Sequence, residues 1–289
     1  MDWNLLIGQA TVNGLIVGLL YLLMAVGFTL VFGVMRMVNF AHGEFYMLGA
    51  FAAYFFTTKL ALPFLAAVAL SFVAAIVVGS LLEWFILKPF RKDELNGMIV
   101  TIGLALILQN VALMAFGPDP VSLPSIASGA TTILGVTVAN SRVYVVGFAV
   151  LVLLLLYAFL RHSRAGRGLR AVVEDSETAA IQGVRARLYY PLGFGIGVGL
   201  AAIGGALMAP LFSVSPFMGQ TPLLKAFMVV ILGGLGSIPG AALAGLCLGL
   251  LESYSTLFLS TSTADMLIFL LVMVGMLAFP RGLIGRGEA

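Results

Sequence analysis

VYVVGFAVLVLLLLYAFL, from Val143 to Leu160, lies between Arg142 and Arg161 and decides the class of this protein. With its flanks the stretch approaches the roughly 20 apolar residues that a helix needs to cross a bilayer core of about 30 Å. Ala264–Phe279 repeats the pattern near the end of the chain. Over the 289 residues, 61% are apolar and 9% charged. A soluble domain carries about 25% charged residues, so this surface belongs in lipid rather than water. A β-barrel would alternate apolar and polar residues over segments of about 10, a dyad pattern absent here. The class is therefore all-α: a polytopic integral membrane bundle forming a single transmembrane domain over residues 1–289.

Working outward from that stretch gives about nine spans, with a range of eight to ten. They fall near 9–33, 43–58, 63–87, 97–116, 143–160, 189–211, 223–238, 240–258 and 264–280. The segments at 43–58 and 223–258 are short and rich in glycine, which makes the count softest there. Arg36, then Lys88, Arg91 and Lys92, then the six arginines from Arg161 to Arg187, then Arg281 and Arg286 fall on one side of such a chain. Lys59, Arg142 and Lys225 fall on the other. Basic residues hold their loops in the cytoplasm, so the N-terminus is expected outside and the C-terminus inside. Topology thus accounts for the net charge of +3 without nucleic acid. The first ten residues carry no Lys or Arg, and no cleavable leader is expected.

Gly117–Arg142 is the longest outer connection and holds Pro118, Pro120 and Pro124. It reads as an ordered loop or short helix able to meet a partner. Chemistry is sparse. No lysine follows a glycine, so there is no phosphate-cradling loop. His42 and His162 are far apart and Cys247 is alone, which leaves no metal cluster and no disulfide framework. If energy is consumed, a partner must supply it.

The cytoplasmic loop 161–188 contains a segment with helix grammar, Glu174-Asp-Ser-Glu-Thr-Ala-Ala-Ile-Gln-Gly-Val184. Asp175 or Ser176 can cap its start, Glu177 suits the first turn, and Gly183 can end it. Ala179, Ala180 and Val184 form a small, smooth face fit for a partner's groove; a solvated linker is the plain alternative.

Glu177-Thr-Ala-x-x-x-Gly183 resembles the E-A-A-x-x-x-G coupling-helix motif of bacterial ABC importer permeases, with Thr178 in place of the usual alanine. Asn39-Phe-Ala-His-Gly-Glu44 resembles the N-F-A-H-G-[ED] signature of the branched-chain amino-acid permeases. Leu232-Gly-Gly-Leu-Gly-Ser-Ile-Pro-Gly240 is similar to that family's glycine-rich segment. The three occur in the family's order, and the likeness is to the H-type subunit. The resemblance implies a pore built with a second, homologous permease subunit, and two cytoplasmic ATPases docking on Glu174, Asp175, Glu177, Ala179, Ala180 and Gly183. ATP and Mg would reside on those ATPases, with no cofactor in this chain. An extracytoplasmic substrate-binding protein would complete the importer in the bacterial inner membrane. Leucine, isoleucine and valine are the implied cargo; urea, short amides or other amino acids are the alternative. A secondary transporter is the remote one.

Candidate pore or gating residues are Asn39, His42, Glu44, Thr101, Gln109, Gly233, Gly234, Gly236, Ser237 and Glu252. Asn39 is expected to cap the helix beginning near His42, with Glu44 in its first turn. His42 reads more simply as a helix-end histidine satisfied by backbone. Gly233–Gly240 cannot be regular helix, and irregular backbone at membrane depth survives only inside protein or against water. Glu83 is expected to snorkel toward Lys88 or solvent. Glu252, inside an apolar span, must face protein or water. Thr101, Gln109 and Asn110 supply polarity to the fourth span, for interhelical hydrogen bonds as readily as for substrate.

Overall fold

The computed structural model describes residues 3–91, 93–133, 135–278 and 282. Eleven helices are described: α1 (Trp3–Met35), α2 (His42–Thr58), α3 (Phe64–Leu82), α4 (Glu94–Phe116), α5 (Asn140–His162), α6 (Arg164–Glu174), α7 (Ser176–Ile181), α8 (Ala186–Met208), α9 (Gln220–Gly233), α10 (Ile238–Phe258) and α11 (Thr261–Ala278). A π turn at Glu83–Leu87 and a 3-10 turn at Lys88–Phe90 prolong α3. Seven segments are long and apolar enough to cross a membrane; α2 and α9, with 17 and 14 residues, are shorter. Each expected span holds a helix, with ends shifted by a few residues. Lys92, Arg281 and Arg286, counted in the charge balance, lie outside the described residues.

The Gly117–Arg142 connection is not a short helix. Ala130–Ile133 (β1) and Val136–Ala139 (β2) pair antiparallel as a hairpin. β-branched residues at Thr131, Val136, Thr137 and Val138 suit a pleated ribbon, and Gly135 turns the chain at φ 82°.

Two helices form the centre. In α1 and α8, 78% and 83% of the apolar window is buried, against 17% in α4 and α11. Lipid tails are as apolar as leucine, so close van der Waals approach through small residues has to hold membrane helices together. The seam between α1 and α10 is built this way. A β-carbon on Gly14 would lie 2.8 Å from Leu250 Cα, and one on Gly18 would lie 2.9 Å from the Gly245 carbonyl oxygen. Gly49 of α2 lies in the same manner against the backbone of Ala202 in α8.

Contacts between connections sort them into two groups. Arg36 donates to the carbonyls of Val173 and Glu174 at 3.1 and 3.4 Å, joining the α1–α2 connection to the end of α6. Val121 and Val214 form a β-bridge, joining the α4–α5 and α8–α9 connections. Arg142 donates to Asn13, which puts the start of α5 beside the first turns of α1. These groupings match the two sides inferred from charge.

Candidate transport and coupling sites

The arginine-rich connection folds as two helices meeting at Asp175. Ser163 caps α6, its Oγ accepting from the Gly166 N–H at 2.8 Å. Asp175 ends α6 and caps α7, its Oδ1 accepting from the N–H groups of Glu177 and Thr178 at 2.9 and 3.1 Å. Its other oxygen accepts from the Thr178 hydroxyl at 2.5 Å. These hydrogen bonds, that from the Thr178 side chain foremost, hold the Asp175 carboxyl below the usual carboxylate range. The replacement of alanine by Thr178 thus has a local physical use.

Gly183 ends α7 at φ 85°, the left-handed geometry that glycine adopts without steric cost. The N–H of Gly183 bonds to the Ala180 carbonyl and that of Val184 to the Ala179 carbonyl, each at 3.0 Å. This pairing is a Schellman cap.

Two expectations need correction here. Glu174 belongs to α6, not to the docking helix, because the Asp175 side chain takes the backbone donors that would continue one helix. Ala179 is buried against its own chain, so the smooth face divides, with Ala180 outward and Ala179 inward. The outermost apolar group is Ile181, 87% exposed, which motif reading passed over. A large apolar side chain standing alone in water on a capped turn is its visible signal.

Residues 36–41 run back into the protein. Met35 ends α1, yet His42 Nε2 lies 3.2 Å from the carbonyl of Met24, eleven residues earlier in that helix. At 1.5 Å per residue Met24 lies about 16 Å back along α1 from Met35, so the chain has doubled back beside α1 before α2 begins. On the way, the Phe40 N–H donates to Thr101 Oγ1 at 3.2 Å. Thr101 therefore fastens this stretch to α4, and its hydroxyl donates to the Met98 carbonyl at 2.8 Å. Gln109 lies half-buried farther along α4.

Asn39 does not cap α2. Ala41 holds that position, and Asn39 Oδ1 accepts from the Ala41 N–H at 3.1 Å in a turn just before the helix. His42 is satisfied by backbone through Nε2, as the simpler reading expected, and packs edge-on to Phe28 at 5.4 Å. Glu44 is buried in the first turn of α2, where the helix dipole favours an acid. Gly43 packs against Gly219, the N-cap residue of α9, so the starts of two short helices meet at a buried glycine pair.

The glycine-rich segment is a tight turn. α9 stops at Gly233, Gly234 and Gly236 take φ 96° and 84°, and Ser237 caps α10 by accepting from the Gly240 N–H at 3.1 Å. A β-carbon on Gly240 would enter the Gly233 carbonyl, so the two helix ends nearly touch.

Sequence reading placed Lys225 outside, but it lies in α9 with 2% of its side chain exposed. Its Nζ is 3.0 Å from Glu252 Oε2 on α10 and 2.5 Å from Asp265 Oδ1 on α11. Tyr21 of α1 donates to Glu252 Oε1 at 3.2 Å. Four helices thus converge on one charged group of the apolar interior. Glu83 also departs from expectation: fully buried, it pairs with Arg91 at 2.5 Å instead of reaching Lys88 or water. Lys88 lies over the Trp84 ring, and Arg91 over Tyr190 of α8.

A family model described as branched-chain amino acid transport system / permease component matches residues 10–277. The chain is 36% identical over 297 aligned positions to the high-affinity branched-chain amino acid transport system permease protein LivH of Escherichia coli K12, covering 97% of this chain and 96% of that one. It is 34% identical to the corresponding BraD protein of Pseudomonas aeruginosa, with the same coverage. A more distant likeness, 29% identical over 63% of this chain and 54% of the relative, is to the fructose import permease protein FrcC of Rhizobium meliloti. No solved structure matches.

Proposed function

Since the chain belongs to the family of branched-chain amino acid transport system permease components, we propose that it is the H-type pore subunit of an ABC importer for leucine, isoleucine and valine. It is a multi-pass protein of the inner membrane. Nine membrane segments run from an outer N-terminus to an inner C-terminus, with α2 starting within the protein rather than at its surface. A second, homologous permease completes the pore. Two cytoplasmic ATPases hold the ATP and Mg, and an external binding protein delivers the amino acid.

The observation that carries this reading is the α6–α7 elbow, which combines the coupling motif, caps at both ends of α7 and the exposed Ile181. Arg36 ties the end of α6 to the end of α1, so a push on α7 has a direct route to the central helix. Glu177, Thr178, Ala180 and Ile181 form the contact face, while Ala179 and Gly183 set the shape behind it.

A cargo other than these amino acids is the second reading, favoured by the likeness to a fructose import permease. The 34–36% identity to branched-chain amino acid permeases over nearly the whole chain, against 29% over part of it, favours the first reading. Co-expression with the neighbouring genes, purification and reconstitution test both. ATP-driven uptake of labelled leucine, stimulated by the binding protein, is expected. Uptake of sugar or urea without leucine would overturn the cargo, and ATP hydrolysis by the chain alone would overturn its role as pore.

A further inference from the structure

We propose that Lys88 and Arg187, held over the ring of Trp84, bind the phosphate of an anionic phospholipid whose acyl chain lies along α3. This goes beyond the permease reading and does not depend on the cargo.

Two cations without an acid are the first ground. Trp84 lies in the π turn that prolongs α3, and cations from two elements lie over it. Lys88 Nζ, from the 3-10 turn that follows, is 4.6 Å from the ring centre. The guanidinium of Arg187, in the first turn of α8, is 5.0 Å from it. Their separation cannot exceed the sum of those distances, about one Debye length at physiological salt, so the two repel. No acid among the described residues forms an ion pair with either. Glu83 is taken by Arg91, and Asp93 caps α4 by accepting from the Asn96 N–H. The indole attracts each cation through its face but carries no charge to neutralise them. A guanidinium stacked on a ring keeps its N–H edge free, and that edge matches two oxygens of a phosphate.

An apolar row is the second ground, and it is independent of the first. Val73, Val77, Leu81 and Phe85 follow one another on α3 and its π turn at four-residue spacing, each at least half exposed. At 1.5 Å per residue the row is about 18 Å long, enough for the roughly 15 Å of hydrocarbon in one leaflet. Leu81 lies three residues before Trp84, and Phe85 three before Lys88, which are neighbouring positions on a helical surface. Tryptophan is enriched at the level of the headgroups, and basic pockets between membrane helices take acidic ones. The cations therefore meet a headgroup where the row meets its chain. A free phosphate would use the cations alone, and a zwitterionic lipid would bring its own ammonium against them.

Trp84 reports on its own site. Trp3→Phe leaves it the one tryptophan of the chain. The full chain carrying this change is reconstituted in phosphatidylcholine with a small fraction of lipid brominated near the top of its acyl chain, and quenching of the indole is read. Brominated phosphatidylglycerol is expected to occupy the site about fivefold or more in preference to brominated phosphatidylcholine. Lys88→Gln with Arg187→Gln should abolish the preference. Arg164→Gln with Arg170→Gln, which removes the same charge from exposed positions on α6, should keep it. If the first double variant fails to insert, each single change at Lys88 or Arg187 should weaken the preference severalfold.

Equal quenching by the two lipids overturns the proposal, as does a preference unchanged by neutralising Lys88 and Arg187 or lost equally in the α6 control. Reversal of the quenching by millimolar inorganic phosphate would assign the cations to a soluble anion and overturn the lipid. The complex with second permease and ATPases is then scored for retained phosphatidylglycerol by native mass spectrometry. Retention that falls in the Lys88 and Arg187 variant is expected; no retention would give this face to a partner subunit and overturn the site. None of these readouts involves transport, so their failure leaves the permease reading as it stands.

Discussion

Gly43 and Gly219 bring the first turns of α2 and α9 together, so closely that a β-carbon on Gly43 would lie 2.5 Å from the Gly219 carbonyl oxygen. Neither backbone can yield easily, because Gly43 lies in the first turn of α2 and Gly219 caps α9. Gly43→Ala is expected to lower the thermal stability of the assembled complex by about 1–3 kcal/mol, the usual cost of overpacking. Gly103→Ala on α4, where a β-carbon would meet nothing within 4 Å, is the control and should be neutral or stabilising. Equal melting behaviour of the two variants in detergent would show that the α2–α9 junction is looser than the geometry implies.

At the elbow, shape and contact can be separated. Gly183→Val forces a β-branched residue into left-handed backbone, at about 1–2 kcal/mol. It should abolish substrate-stimulated ATP hydrolysis while insertion and pairing remain. Gly183→Asn, which tolerates that conformation, should retain a large part of the activity. Ile181→Glu keeps the fold of α7 but places a charge where the ATPase groove is expected, and should weaken ATPase retention on affinity purification. Normal coupling in Gly183→Val would leave the elbow a linker.

Asp175 gives a pH prediction with a definite sign. Its carboxyl sits below the ordinary value because the Thr178 hydroxyl and the first amides of α7 donate to it. The contribution of the ionised cap is fully present above the unfolded value near about 4 and is lost as pH falls through the lower folded value. Slow hydrogen exchange at the Glu177 and Thr178 amides should therefore be insensitive to this group between about pH 5 and 8. Asp175→Asn should preserve that protection and Asp175→Ala should lose it. Protection in the alanine variant equal to wild type would remove the cap from the account.

Glu83 and Arg91 form a buried pair in which the acid is wholly enclosed. Arg91→Ala leaves an uncompensated carboxylate, so destabilisation of about 3–5 kcal/mol is expected. Adding Glu83→Gln should recover part of that loss, because a neutral amide is cheaper to bury than a lone charge. Lys88→Ala should have a small effect, since Lys88 lies over Trp84 and is not paired with Glu83. A double variant no more stable than Arg91→Ala alone would argue against the pair.

The helices were legible because lipid imposes a length and a composition, and both are visible in any window of residues. The caps at Asp175 and Gly183 were legible for a related reason: they depend on neighbours a few positions away. The return of residues 36–41 was hidden, since Met37-Val-Asn-Phe-Ala41 carries no mark of where it lies. Only contacts with Met24 and Thr101 reveal its depth. Lys225 was misread because a lone lysine near the edge of a short apolar run looks like a loop residue. Its partners lie 27 and 40 positions downstream. The available signal was Glu252 and Asp265 together, two acids inside apolar helices that require a cation.

The seam on α1 has a consequence for synthesis. α1 leaves the ribosome well before the helices that cover it most closely, α8, α9 and α10, which begin at Ala186. At 5–20 residues per second the closing partners follow only after roughly ten to forty seconds. Throughout that interval Gly14 and Gly18 face lipid or the insertion machinery with no helix set against them. A chain interrupted before α10 would insert its first helices and leave the seam uncovered. The close packing of α1 is thereby reached only when translation has passed α10.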